Sequence, residues 1–221
     1  MTEKPLKAAI DRLFRAYSDY NRKASKDTLF TLLETLHSLD DKLAAKHGRA
    51  MLDIKEYVAL KALRNHFHHE GEVRHVVALK APAHITAQFD LGIACLVSAS
   101  DCVAAIKGIK NKNPQKQAAW QQEALQAFAD TTKIYGGQVV DLNLCVFNCI
   151  VKVFELLLSL EIHGDGEEFA EFAAQYDWET QNGHSHYVNG SVFTHASSID
   201  ELHSWVVDTY NLAGATKDSA G

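Results

Sequence analysis

Proline is scarce in this chain, three residues in 221, and no stretch is dominated by glycine and serine or by a repeated unit. Linkers and solenoids are built from such segments, so their absence predicts a single folded unit over residues 1–213 with a short disordered tail at 214–221. At 47% hydrophobic residues, a chain of this length has enough apolar surface to build one large core. Cysteine is also sparse. Cys95, Cys102, Cys145 and Cys149 are spaced by seven and four, with no CxxC, and each lies in an apolar run. Reduced core thiols are therefore expected, not zinc ligands. No GxSxG, P-loop or GxGxxG is present, which removes the usual sequence support for a serine hydrolase or a glycine-rich phosphate cradle. An excess of positive charge is lacking too: with a formal net charge of -6 and a pI near 6.0, the whole surface cannot attract polyanions, and any nucleic acid must meet a local patch. The first residues, MTEKPLKAAIDRLF, carry charges through what would be the apolar core of a signal peptide, so a cytoplasmic location is expected.

What is abundant is helical periodicity. Leu6, Ile10, Leu13, Tyr17 and Tyr20 recur at close to 3.6 residues after Pro5, and Leu29, Leu32, Leu33, Leu36, Leu39 and Leu43 form a second stripe ending at Gly48. A third helix is expected over 50–64 from Met51, Ile54, Val58 and Ala62. Residues 73–90 fit a strand or an extended loop equally well. A helix is expected over about 84–110, another from Pro114 to the Gly136-Gly137 pair, and an apolar central helix over 138–162. That last run has the length of a membrane span, but Asp141, Asn143, Asn148, Lys152 and Glu155 recur through it, as expected of a core helix. Phe169, Phe172 and Tyr176 mark a short helix over 166–180, a loop follows to 197, and a last helix begins at Ser198 with Glu201 completing a capping box. These elements predict an all-α bundle of seven to eight helices.

Chemistry concentrates in ALRNHFHHEGEVRH, residues 62–75, which holds four of the twelve histidines. Arg64 offers a fixed planar donor to phosphoryl oxygens and His69 a group able to exchange a proton near neutral pH. Five residues apart on a helix they are separated by about 140° of rotation, so they converge best at a kink or a helix end. No other arginine is followed five residues later by a histidine. His66, His68 and His75 could enlarge a phosphate patch. A plainer account makes Arg64 the partner of an acidic neighbour and His69 a solvated residue at a helix end.

The segment Arg64-Asn65-His66-Phe67-His68-His69 resembles the mark of the HEPN superfamily of helical proteins (higher eukaryotes and prokaryotes nucleotide-binding): an Arg, commonly followed by Asn, Asp or His, with a His four to six residues beyond. The resemblance implies a HEPN-like helical core with a C-terminal helical extension. It also implies a metal-independent endoribonuclease of the toxin-antitoxin or phage-defence kind, with Arg64, Asn65 and His69 catalytic and no cofactor. The partners it implies are RNA, a second copy in a homodimer, and a possible antitoxin or other protein. Two alternatives stay open. One is a noncatalytic nucleotide- or partner-binding module. The other is a metal-binding bundle using His66 with Glu70 and His203 with Asp208, although that arrangement would call for an HxxxH that this sequence does not contain. The pair His184 and His186 is expected to be a polar loop tip.

Overall fold

The computed structural model describes residues 4–48, 50–70, 74–78, 81–85, 87–89, 91, 93–190, 192–194 and 196–218; for 50, 69, 70, 78, 87–89, 130–134, 192–194, 196 and 213–218 it describes the backbone alone. Eight α-helices account for most of these residues. Helix α1 (Lys4–Arg22) buries Ile10, Leu13, Phe14 and Tyr20 against α2 (Lys26–His47), which buries the predicted leucine stripe. Ser25 caps α2 by a reciprocal pair of hydrogen bonds with Thr28, and Gly48 ends it at φ 74°, a left-handed value that glycine adopts without strain. A 3₁₀ turn (Ala50–Asp53) leads into α3 (Lys55–Glu70), so the third helix divides in two and runs six residues further than its apolar periodicity predicts.

The fold is all-α in character, with two small sheets added. In the first, the central β3 (Ala94–Ser98) pairs antiparallel with β1 (His75–Ala78) and β4 (Val139–Asp141). In the second, β2 (Ala87–Phe89) pairs antiparallel with β5 (Val192–Thr194). Two expectations are corrected here. The helix foreseen over 84–110 is confined to α4 (Ala99–Lys107), and the long apolar helix begins only at Leu142, after a strand.

The reason lies in burial on both faces. Cys95 and Val97 of β3 enter the main core with Val140 of β4, while Ala94 and Leu96 enter a second, smaller core with Val139 and with Leu202, Val206 and Tyr210 of the last helix. A strand covered on both sides reads as a continuous apolar run, and such a run does not reveal its period.

Helix α5 (Pro114–Ile134) packs across α3 and α4. Helix α6 (Leu142–Ser159) runs through the main core. It is the one helix among the described residues long and apolar enough to cross a membrane, at a mean hydropathy of 1.8, and 56% of it is buried inside the fold. Helix α7 (Glu167–Gln181) closes on α1, placing Phe169 and Phe172 edge-on to Phe14. Helix α8 (Ile199–Asp218) covers the sheet. It continues through Gly214 to Asp218, so the tail expected from 214 is helical backbone for its first five residues, and 219–221 lie outside the described residues.

All four cysteines are buried and free, as their setting in apolar runs predicts. Burial pushes the thiols of Cys95 and Cys102 up to about 12, which leaves them protonated and unreactive at neutral pH.

Candidate functional site

Helix α3 carries residues 64–70 in its last two turns, and its two flanks present different chemistry. Toward α2, the Arg64 guanidinium is clamped side-on by one carboxylate: Nε donates to Glu34 Oε1 at 2.8 Å and Nη2 to Glu34 Oε2 at 2.9 Å. Nη1 donates to Asn65 Oδ1 at 3.2 Å. Three of the five N–H groups are thereby used and two remain. Arg64 is well covered, its side chain 17% exposed, whereas Glu34 is about half exposed. The hydrogen bonds from Arg64 hold the Glu34 carboxyl below the usual carboxylate range, so it is ionised at neutral pH and offsets the arginine's charge. His68 joins the same carboxylate, Nε2 lying 3.3 Å from Glu34 Oε1.

The neighbouring flank, about 100° round the helix, opens onto a cleft of about 840 Å³ between α3, the 3₁₀ turn, and the α4–α5 connection. Leu52, Val58, Ala62 and Ile109 provide apolar wall, and Asn65, His66 and Trp120 reach its surface. Lys61, Lys110 and Lys112 supply cationic groups, and among the described residues no carboxylate lines it. The lysines are not equivalent. Lys61 Nζ sits 2.7 Å from Oδ2 of the fully buried Asp40, so its charge is already matched. Lys110 and Lys112 are exposed and make no ion pair among the described residues. A shallower groove continues past Trp120 to Lys116, bordered by Asp53 and Glu123.

The structure thus separates the residues singled out from sequence. Arg64 and His68 meet at Glu34. Asn65 and His66 line the cleft, and Asn65 touches both settings through its bond to Arg64. His75 opens β1, opposite Val97, and does not line the cleft. The side chain of His69 lies outside the described residues, as does that of Glu70. Sequence reasoning missed Glu34, which sits thirty positions from Arg64 and carries no local signal. It also missed Lys110, Lys112 and Trp120, although KGIKNKNPQK places four lysines in ten residues of an acidic chain and was legible as a local basic patch.

The metal-binding alternatives gain little. Both ring nitrogens of His186 are engaged, Nδ1 at 2.8 Å from Glu179 and Nε2 at 3.1 Å from Thr180, and the ring stacks on Tyr176. His203 and Asp208 sit five positions apart on α8, a spacing that does not bring two side chains onto one helix face. Among the described residues, one trio brings its ligand atoms together: His37, Asp40 and Asp41. The Lys61 ammonium already occupies the place of a cation on Asp40. Comparison with protein-family models, with curated proteins and with solved structures finds no match, so the reading of this site rests on its geometry.

Proposed function

We propose that this chain is an endoribonuclease of HEPN type that works without a metal, through Arg64, Asn65 and His69. The observation that supports this is the arginine clamp. Glu34 and Asn65 hold the Arg64 guanidinium in one orientation with two N–H groups left to donate, as a group that stabilises charge on phosphoryl oxygens must be held. In the reaction, the ribose 2′-hydroxyl attacks the adjacent phosphorus. The O2′–P bond forms, the P–O5′ bond breaks, and a 2′,3′-cyclic phosphate and a 5′-hydroxyl result. His69 takes the 2′ proton, and an acid protonates the departing 5′ oxygen. One chain carries one such motif, so a symmetric dimer supplies the second imidazole.

A second reading is favoured by the same clamp seen as neutralisation. An arginine already matched by an ionised carboxylate attracts phosphate less, which suits a module that holds a nucleotide or a protein partner without cutting RNA. Incubating the purified protein with total RNA in EDTA separates the two. Cleavage that disappears in Arg64→Ala and His69→Ala supports the enzyme. RNA left intact by a wild-type protein whose Tm rises with added nucleotide supports the binder, and cleavage unchanged in both variants sinks the role given to the motif.

A further inference from the structure

The cleft on the other flank of α3 has the make-up of a site for one nucleotide, distinct from the arginine clamp. We propose that it takes an unpaired nucleotide of a single-stranded RNA, the base lying on Trp120 and the flanking phosphates meeting Lys110 and Lys112. The choice of RNA as the strand rests on the function proposed above; the site itself rests on four observations.

First, the volume of about 840 Å³ accommodates a nucleotide with its neighbouring phosphates and falls within the usual range of ligand clefts. Second, the wall formed by Leu52, Val58, Ala62 and Ile109 suits a flat aromatic base and offers nothing to a hydrated ion. Trp120 is half-buried, packed against the main core along one side, so its indole is held as a rigid stacking surface. Third, the cations are unevenly committed. Lys61 is bound to Asp40, whereas Lys110 and Lys112, at the exposed mouth, lack ion-pair partners among the described residues. Although the chain as a whole is acidic, among the described residues no carboxylate lines the cleft itself; Asp53 and Glu123 border the adjoining groove, which Lys112 shares and Lys110 does not. Fourth, the amides of Asn65 and Asn111 line the same space; each Oδ1 already accepts one hydrogen bond, from Arg64 and from the Asn113 N–H respectively, which orients the amide N–H groups as donors to the edge of a base. A base within a duplex cannot enter an apolar cleft, which selects an unstacked, single-stranded segment. Asn65 belongs to the cleft and also bonds Arg64, so a strand seated here passes beside the residues proposed to cut it.

Binding can be measured without cleavage by fluorescence anisotropy of a labelled single-stranded 2′-O-methyl RNA of about twelve nucleotides, which lacks the attacking hydroxyl. Lys110→Glu/Lys112→Glu is expected to weaken binding at least about tenfold and to flatten the dependence of log K on log salt by roughly one to two units. Trp120→Ala is expected to weaken it about five- to a hundredfold while Trp120→Phe keeps most of the affinity, as loss of one stacked base predicts. The control Lys4→Glu/Lys23→Glu changes the net charge equally on exposed residues at the start of α1 and just past its end, far from the cleft in sequence, and is expected to stay within about threefold of wild type. Adenosine monophosphate is expected to compete at least about tenfold better than inorganic phosphate, and the strand to bind tighter than the mononucleotide.

Equal loss in the control pair, or unchanged binding in the cleft variants with circular dichroism unaltered, overturns the site. Equal competition by phosphate overturns recognition of the base, and a mononucleotide as tight as the strand overturns the strand. The two proposals fail separately. Normal strand binding by the cleft variants, with cleavage lost in His69→Ala, sinks the cleft alone. A wild type that never cuts RNA, yet loses the 2′-O-methyl strand when Lys110 and Lys112 are reversed, sinks the cleavage alone.

Discussion

The two flanks of α3 carry similar residue types and differ in what those residues are committed to. Facing α2, Arg64 and His68 converge on one ionised carboxylate, and the cation's charge is matched within the fold. Facing the α4–α5 connection, Lys110 and Lys112 stand at a cleft lined by no acid among the described residues. A guanidinium fixed by a carboxylate is a positioned donor with little net field, whereas an unmatched ammonium is a field with little fixed direction. The first suits a group that must meet one oxygen in one place, and the second suits capture of a polyanion. Net charge conceals this division, because a total of -6 is compatible with either arrangement. What separates them is pairing, which depends on residues distant in sequence.

The largest effect is expected where the two flanks meet. Lys61 lines the cleft yet belongs to the paired side, because its ammonium neutralises Asp40, a carboxylate with no exposed surface. Lys61→Met leaves that charge buried and unmatched, and chemical denaturation should show a loss of about 3–5 kcal/mol. Adding Asp40→Asn should return most of it. If Lys61→Met costs less than about 1 kcal/mol, Lys61 is not the buried partner that distinguishes it from Lys110 and Lys112.

A second prediction concerns pH, since a histidine-dependent reaction must be read against the stability of the fold beneath it. Asp141 ends β4 and caps α6, its Oδ1 accepting from the backbone N–H of Cys95 at 2.9 Å and of Asn143 at 3.0 Å. Burial nevertheless pushes its carboxyl up to about 7, the two hydrogen bonds opposing the shift only in part. The native state therefore holds the proton more tightly than the unfolded chain, whose aspartate titrates near 3.8. Stability from this group is fully present below about pH 4 and is lost as pH rises through about 7, by an amount of the order of 4 kcal/mol. An ordinary imidazole base gains function over the upper part of that window. Asp141→Asn keeps an acceptor for both N–H groups and removes the titration, so its stability should be nearly flat between pH 5 and 8 while the wild type declines. RNA cleavage measured in that background isolates the histidine: a fall below about pH 6 should persist unchanged. A wild-type stability that rises with pH across this range would falsify the assignment to Asp141.

The helical stripes of α1, α2, α5 and α7 were legible because one face of each is polar, so the period of the buried face is visible. Val139–Asp141 and Ala94–Ser98 were not, because strands sandwiched between two cores lose the alternation that marks them. For the site, the sequence located the segment but not its division. Arg64 and Asn65 are adjacent in the chain and about 100° apart around the helix, which is enough to send one toward α2 and the other to the cleft. Glu34 was illegible for the same reason that most ion pairs are: thirty positions lie between the partners. The lysines of 107–116 were legible as composition, but only the fold shows that two of them border the same space as Asn65.

The smallest effect on stability, and the sharpest probe of the comparison, is expected from Glu34→Gln. The carboxylate is about half exposed, so its pairing with Arg64 should contribute no more than about 1 kcal/mol. Its lowered pKa means that this contribution is present above the ordinary carboxylate range and fades as pH falls through it. Glutamine keeps one acceptor for the guanidinium and removes the offsetting charge, making the α2 side resemble the cleft. Affinity for single-stranded RNA should then rise about two- to fivefold at low salt, with the gain shrinking as salt is added. The same substitution made beside Arg64→Ala should give no gain, since no guanidinium remains to be unmasked. If affinity rises equally in both backgrounds, the effect is one of net charge alone, and Glu34 is not what separates the two flanks of α3.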